Sequence, residues 1–173
     1  MSDEFREYSL NQYLLPFDSM LEILPSPAPA HLGSMVNALD FPMSIRTPIC
    51  ASLDGIVQSV KQNFNRGGPS ENFRNDCNLI RIMHNHGEFT EYVHLQFKSS
   101  LVKPGEYVRA GDIIGFSGET GFTTYPHLHF GVFKIINKMK ERVYLIAKFK
   151  LDNRIFTFED GKKIQLITSP LIS

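Results

Sequence analysis

Apolar and polar residues alternate along this chain in short runs, and glycine or proline interrupts the alternation repeatedly. Period-two alternation buries one face of a strand and solvates the other, so it predicts β structure. "CNLIRIMHNHGEFTEYVHL" reads as a hairpin: one strand, a turn near Asn85–Gly87, and a return through Tyr92 and His94. "TPICASLDGIVQSVKQN" gives two strand runs around the Asp54-Gly55 turn, and "MVNALDF" a short strand with Val36, Ala38 and Asp40 on one face. "RVYLIAKFKLDNRIFTFEDGKK" adds two strands rich in β-branched and aromatic residues. Turns are expected at Pro104-Gly105, Gly111-Asp112 and Gly118–Gly121, and "FNRGGPSENFRND" reads as a long polar loop. Only "EFREYSLNQYLL" has weak helical character. The prediction is an all-β, mostly antiparallel domain, a sandwich or barrel-like hybrid with little helix.

Within this pattern "TYPHLHFGVF" is unusual. His127 and His129 lie two apart and share a strand face, about 7 Å apart from the ~3.3 Å rise per residue. Leu128 and Phe130 point the other way. Two imidazoles inside an apolar run need a metal, a proton-transfer role or hydrogen-bond partners.

Composition narrows the options. The chain has 173 residues, 42% of them hydrophobic and 21% charged, which suits one domain with its own core. Lys+Arg equals Asp+Glu at 18 each, so no overall charge draws nucleic acid or an anionic membrane. Two cysteines, Cys50 and Cys77, make no disulfide framework, and no C-x-x-C is present. "MSDEFREYSL" lacks the pattern of a secretory signal, and no apolar run reaches the ~20 residues of a membrane helix. Gly111, Gly115, Gly118 and Gly121 follow no phosphate-loop pattern and read as turn glycines. His84 and His86 straddle a turn and read as solvated or structural.

Four histidines and one aspartate stand out: His31, Asp40, His94, His127 and His129. Catalytic zinc commonly takes three protein ligands and leaves one position open, a count that two histidines and one carboxylate meet.

The ordered segments "HLGSMVNALDF", "TPICASLDGIV", "EYVHL" and "VKPGEYVRAGDIIGFSGETG…PHLHF" resemble the lysostaphin/LytM-type zinc metallopeptidases, from about His31 to Phe133. The resemblance implies a β-sheet groove with one Zn²⁺ and hydrolysis of peptide bonds in bacterial peptidoglycan cross-links or stem peptides. By motif, His31, Asp40 and His129 would be the metal ligands, and His94 and His127 the catalytic pair outside the ligand set. Tyr92 shares a strand face with His94 and is expected either to donate beside the site or to pack in the core, and Tyr125 to narrow the groove or contact substrate. The site has no HExxH glutamate to act as base. The family often carries Glu after the His-Leu-His-Phe run, where this sequence has Gly131, and small residues before it, where this sequence has Tyr125. The expected organisation is an N-terminal extension, 1–30, packing on a metallopeptidase domain, 31–173. Peptidoglycan peptides are the implied partner, with no nucleic acid and no membrane span, and the implied location is the cell envelope.

Two other readings compete. One is a LytM-like module without activity that binds or regulates in the envelope. The other is a biotinyl/lipoyl-like carrier, suggested by "DGIV" and by Lys138 and Lys140 in "NKMKER", although a carrier lysine should precede that segment. The carrier reading leaves His31, Asp40, His94, His127 and His129 unexplained.

Overall fold

In a computed structural model the alternating runs become fourteen strands among the described residues, which are 7–27, 31, 33–137 and 140–166. In chain order they are β1 (Tyr8–Tyr13), β2 (Leu39–Pro42), β3 (Pro48–Cys50), β4 (Gly55–Lys61), β5 (Gly67–Gly68), β6 (Leu79–Met83), β7 (Glu88–Val93), β8 (Tyr107–Val108), β9 (Ile113–Phe116), β10 (Gly121–Phe122), β11 (His127–Ile135), β12 (Arg142–Leu151), β13 (Arg154–Glu159) and β14 (Lys162–Leu166). Lys138 and part of the proline-rich stretch lie outside the described residues.

The main sheet runs β14-β13-β12-β11-β7-β6-β4-β8, with β2 also paired to β11 and β1 to β12. Its neighbours along that path are antiparallel, as alternation and tight turns predict, and the sheet is open rather than a closed barrel. The expected β6–β7 hairpin forms around Asn85–Gly87. Among the described residues no helix is long and apolar enough to cross a membrane.

Three local expectations change. Tyr8–Tyr13 is a strand rather than a helix. Ser9 and Tyr13 are buried while Leu10 is exposed, and the segment pairs in parallel with β12. Tertiary pairing overrides weak helix propensity there. The strand in "MVNALDF" begins only at Leu39, because Gly33–Met35 forms a 3₁₀ turn closed by Val36 N–H donating to the Gly33 carbonyl, and a second turn follows in which Ala38 N–H donates to the Met35 carbonyl. The polar loop after Phe64 carries β5, which pairs in parallel with β10. Gly67 permits that close approach, because an added Cβ there would lie 2.8 Å from the Gly121 carbonyl oxygen.

The core lies on one face of β11. Leu128 and Phe130 pack there with Phe41, Tyr92, Phe149 and Phe156, all at most 1% exposed. The opposite face of β11 carries His127, His129, Gly131 and Phe133 and is also buried by neighbouring strands.

Strand β1 is also anchored by Glu88, which is 2% exposed. Its Oε1 accepts Leu10 N–H at 2.6 Å; its Oε2 accepts Asn11 N–H at 3.2 Å, Asn11 Nδ2 at 2.9 Å and the Tyr13 hydroxyl at 2.8 Å. Glu88→Ala leaves these donors without their acceptor and is expected to cost about 3 kcal/mol, at about 1–3 kcal/mol per orphaned buried group. Denaturant unfolding checks the cost, and hydrogen exchange at Leu10 and Asn11 should accelerate; unchanged stability and protection would refute the anchoring role.

Candidate metal centre

The antiparallel pairing of β2 with β11 sets Asp40 directly opposite His129 and Pro42 opposite His127. Asp40 is therefore on the face shared by both histidines. His31 reaches the same carboxylate from the segment before β2. His31 Nε2 and His129 Nδ1 each lie 3.0 Å from Asp40 Oδ1, and His127 Nε2 lies 3.6 Å from it. The ligand atoms of His31, Asp40 and His129 all fall within 4.8 Å of one another. Two imidazole nitrogens and a carboxylate oxygen converging on one point suit a zinc ion.

His94 arrives by a different route. Strand parity would put it on the face of Tyr92, inside the core. However, His94 has φ +64°, a left-handed conformation that bulky residues rarely adopt, and this swings its ring to the other side. Its ring centroid lies 4.6 Å from that of His127 and 6.2 Å from that of His129. Tyr92 stays in the core, where its hydroxyl accepts Ser52 N–H at 2.9 Å and the Thr90 hydroxyl at 3.1 Å. The structure thus separates Tyr92 from the cluster. Tyr125 is at the cluster: its ring centroid is 4.7 Å from that of His127, and its hydroxyl is 2.9 Å from Ser26 Oγ.

Hydrogen bonds assign the tautomers. A carbonyl oxygen only accepts, so the ring nitrogen beside it carries the proton. His94 Nδ1–H donates to the Thr120 carbonyl at 2.7 Å, and His127 Nδ1–H to the Tyr125 carbonyl at 2.8 Å. Both rings therefore keep Nε2 free of hydrogen when neutral.

Charges follow the same arrangement. Burial, then repulsion from His127, lowers the His94 pKa to about 4, and burial also lowers that of His127. Burial alone would lower His129 too, but Asp40 and Glu91 outweigh it and raise its pKa to about 9. Burial disfavours the Asp40 carboxylate, yet bonds from His129 and His31 hold its pKa far below the usual carboxylate range.

Glu91 is the residue that sequence reasoning missed. It lies on β7 opposite Gly131, 4% exposed, with Oε1 3.8 Å from His129 Nε2. Its signal was an acidic residue inside an alternating strand, but only the register shows which face it occupies. His84 is buried, with Nδ1 2.8 Å from the Asp54 carbonyl and Nε2 2.8 Å from Thr90 Oγ1, and His86 is exposed at its turn. Both lie outside the cluster.

Buried Asp40 and His129 and half-buried His31, with two further histidines beside them on an open antiparallel sheet, match the two-histidine, one-carboxylate ligand count found at the zinc of metallopeptidases. The sequence pattern of Peptidase family M23 matches residues 34–142, and the chain belongs to that family. It is similar to lysostaphin of Staphylococcus simulans, 41% identical over 100 residues, covering 57% of this chain and 18% of that protein. Peptidoglycan DD-endopeptidase ShyA of Vibrio cholerae is 36% identical over 110 residues, covering 62% of this chain and 23% of that one. The chain thus spans a minor part of these relatives. A solved peptidase M23 structure from Pseudomonas aeruginosa superposes with a TM-score of 0.50 at 25% identity, over 73% of this chain and 48% of that one.

In protein stripped of metal, NMR titration of the imidazoles should find His94 titrating near pH 4 and His129 near pH 9. The ordinary value is 6.5. The depressed His94 pKa gives stability that is present above 6.5 and lost as pH falls toward 4. The raised His129 pKa gives stability that is present below 6.5 and lost as pH rises through 9. The metal-free protein is expected to be most stable between these limits. Both rings titrating at the ordinary value would contradict the buried, paired geometry.

Proposed function

We propose that this chain is a zinc-dependent endopeptidase that hydrolyses peptide bonds in bacterial cell-wall peptidoglycan. Its supporting observation is the convergence of ligand atoms of His31, Asp40 and His129 within 4.8 Å, His31 Nε2 and His129 Nδ1 each 3.0 Å from Asp40 Oδ1, with two further imidazoles alongside. Membership in family M23 and similarity to proteins named as peptidoglycan endopeptidases support the reaction class and the substrate.

In this reading His31, Asp40 and His129 hold the metal. Bound zinc supplies Lewis acidity to the scissile carbonyl and eases deprotonation of the attacking water. His94 and His127 do the proton work. Each fixes its Nδ1–H on a backbone carbonyl and keeps Nε2 free to accept a proton, which orients the rings before substrate arrives. One Nε2 takes the proton of the attacking water. An imidazole protonated there then donates to the tetrahedral oxyanion and can return the proton to the departing amine. Burial keeps both rings neutral at pH 7, the state required of a base. The Tyr125 ring, against that of His127, is positioned to meet the substrate peptide.

The test separates metal holding from proton transfer. Asp40→Ala should lose stoichiometric zinc and all activity on cell-wall material. His94→Ala and His127→Ala should keep zinc and lose roughly 10²–10⁴-fold in hydrolysis, the usual contribution of general acid–base catalysis. Full activity in either histidine variant, or undiminished hydrolysis after complete chelation, would sink the mechanism. Stoichiometric zinc in the wild-type chain without hydrolysis of any peptidoglycan would instead identify a binding module.

A further inference from the structure

Glu91 raises a question that catalysis does not answer: why a carboxylate is buried in the middle of β7. Burying a charge costs several kcal/mol unless its partners compensate. Here both oxygens are engaged. Oε2 accepts Arg81 Nε–H at 3.0 Å and faces Arg142 Nη1 at 3.5 Å. Oε1 accepts the Tyr144 hydroxyl and faces His129 Nε2 at 3.8 Å, too long for a hydrogen bond but close enough for strong attraction.

The valence of imidazole gives that last contact a purpose. His129 turns Nδ1 to Asp40 and His31, so Nδ1 is the atom available to a metal. A neutral imidazole that ligates through Nδ1 must carry its proton on Nε2. Glu91 Oε1 lies on that side, held in place by the Tyr144 hydroxyl.

The facing strand explains why the carboxylate stands on β7. Gly131 lies two residues beyond His129 on the same face and opposite Glu91. An added Cβ at Gly131 would overlap the Tyr144 ring. Tyr144 thus fills the space that a side chain at 131 would need, and the carboxylate is supplied across the strand pair.

We propose that Glu91 is the positioning residue for His129, accepting its Nε2–H and fixing its tautomer and ring plane while Nδ1 holds zinc. The inference rests on the zinc-site reading given above. Such carboxylate–histidine–metal arrangements raise the basicity of the ligand, and removing the outer partner typically weakens metal affinity by about 10–100-fold.

The experiment measures zinc affinity of the whole chain by competition with a chromogenic chelator, and the visible spectrum of the Co²⁺-loaded protein, which reports ligand geometry. Glu91→Gln keeps the shape and removes the charge; it is expected to weaken zinc binding by about 10–100-fold and to displace the Co²⁺ bands. Tyr144→Phe keeps the carboxylate but frees it, serves if Glu91→Gln does not fold, and should show a smaller loss in the same direction. Wild-type affinity with an unmoved Co²⁺ spectrum in the folded variants would overturn the positioning role and leave the zinc site standing, since a purely structural Glu91 would alter neither. A wild-type chain that binds no zinc would overturn the underlying reading itself.

Discussion

The carboxylate of Asp40 is the contact on which the candidate site depends. His31, His127 and His129 all meet it, and it reaches them only because β2 pairs with β11 in one register. A slip of one residue would turn Asp40 to the opposite face, against the apolar core. The same register sets Phe41 opposite Leu128, both fully buried. The two strands divide the task by parity. Their apolar side chains lock the register from one face, and their polar side chains use it on the other. Hydrophobic burial thus pre-organises a cluster of groups that attract and repel one another strongly.

Strand β11 is buried on both faces, which is unusual for an antiparallel sheet with a solvated side. The second cover is partly polar. Glu91, Tyr144, Arg81 and Arg142 form a bonded network beside His129, and Phe133 stacks on Phe89 further along the same face. The cluster therefore sits in a low-dielectric environment at one end of a covered strand face, where electrostatic interactions are stronger than in water. His94 completes it only through a left-handed backbone conformation immediately after β7. Backbone strain of this kind, of order 1–3 kcal/mol, persists where surrounding structure enforces it. Here the Thr120 carbonyl bond to the ring provides part of that enforcement.

Much of this was legible in the sequence for a physical reason. Alternation is a local signal, so the β6–β7 hairpin, the pairing of His127 with His129 on one face, and the burial of Leu128 and Phe130 could be read directly. The ordered segments around His31, Asp40, His94, His127 and His129 carried the family resemblance, and the fold gathers all five. What stayed hidden depends on partners distant in sequence. Tyr8–Tyr13 becomes a strand because β12 offers it an edge. Tyr92 and His94 separate because one residue adopts positive φ, which no periodicity reveals. Glu91 joins His129 because two strands pair in register, and Gly131 makes sense only once the Tyr144 ring is seen against it.

The most direct measurement of the central claim is a crystal structure of the zinc-loaded chain with anomalous data collected at the zinc edge. A single peak about 2.0–2.2 Å from His31 Nε2, an Asp40 carboxylate oxygen and His129 Nδ1 is predicted, with His94 and His127 beyond bonding distance. A peak bonded to His94 or His127 in place of one of those three, or no peak at Asp40, would contradict it.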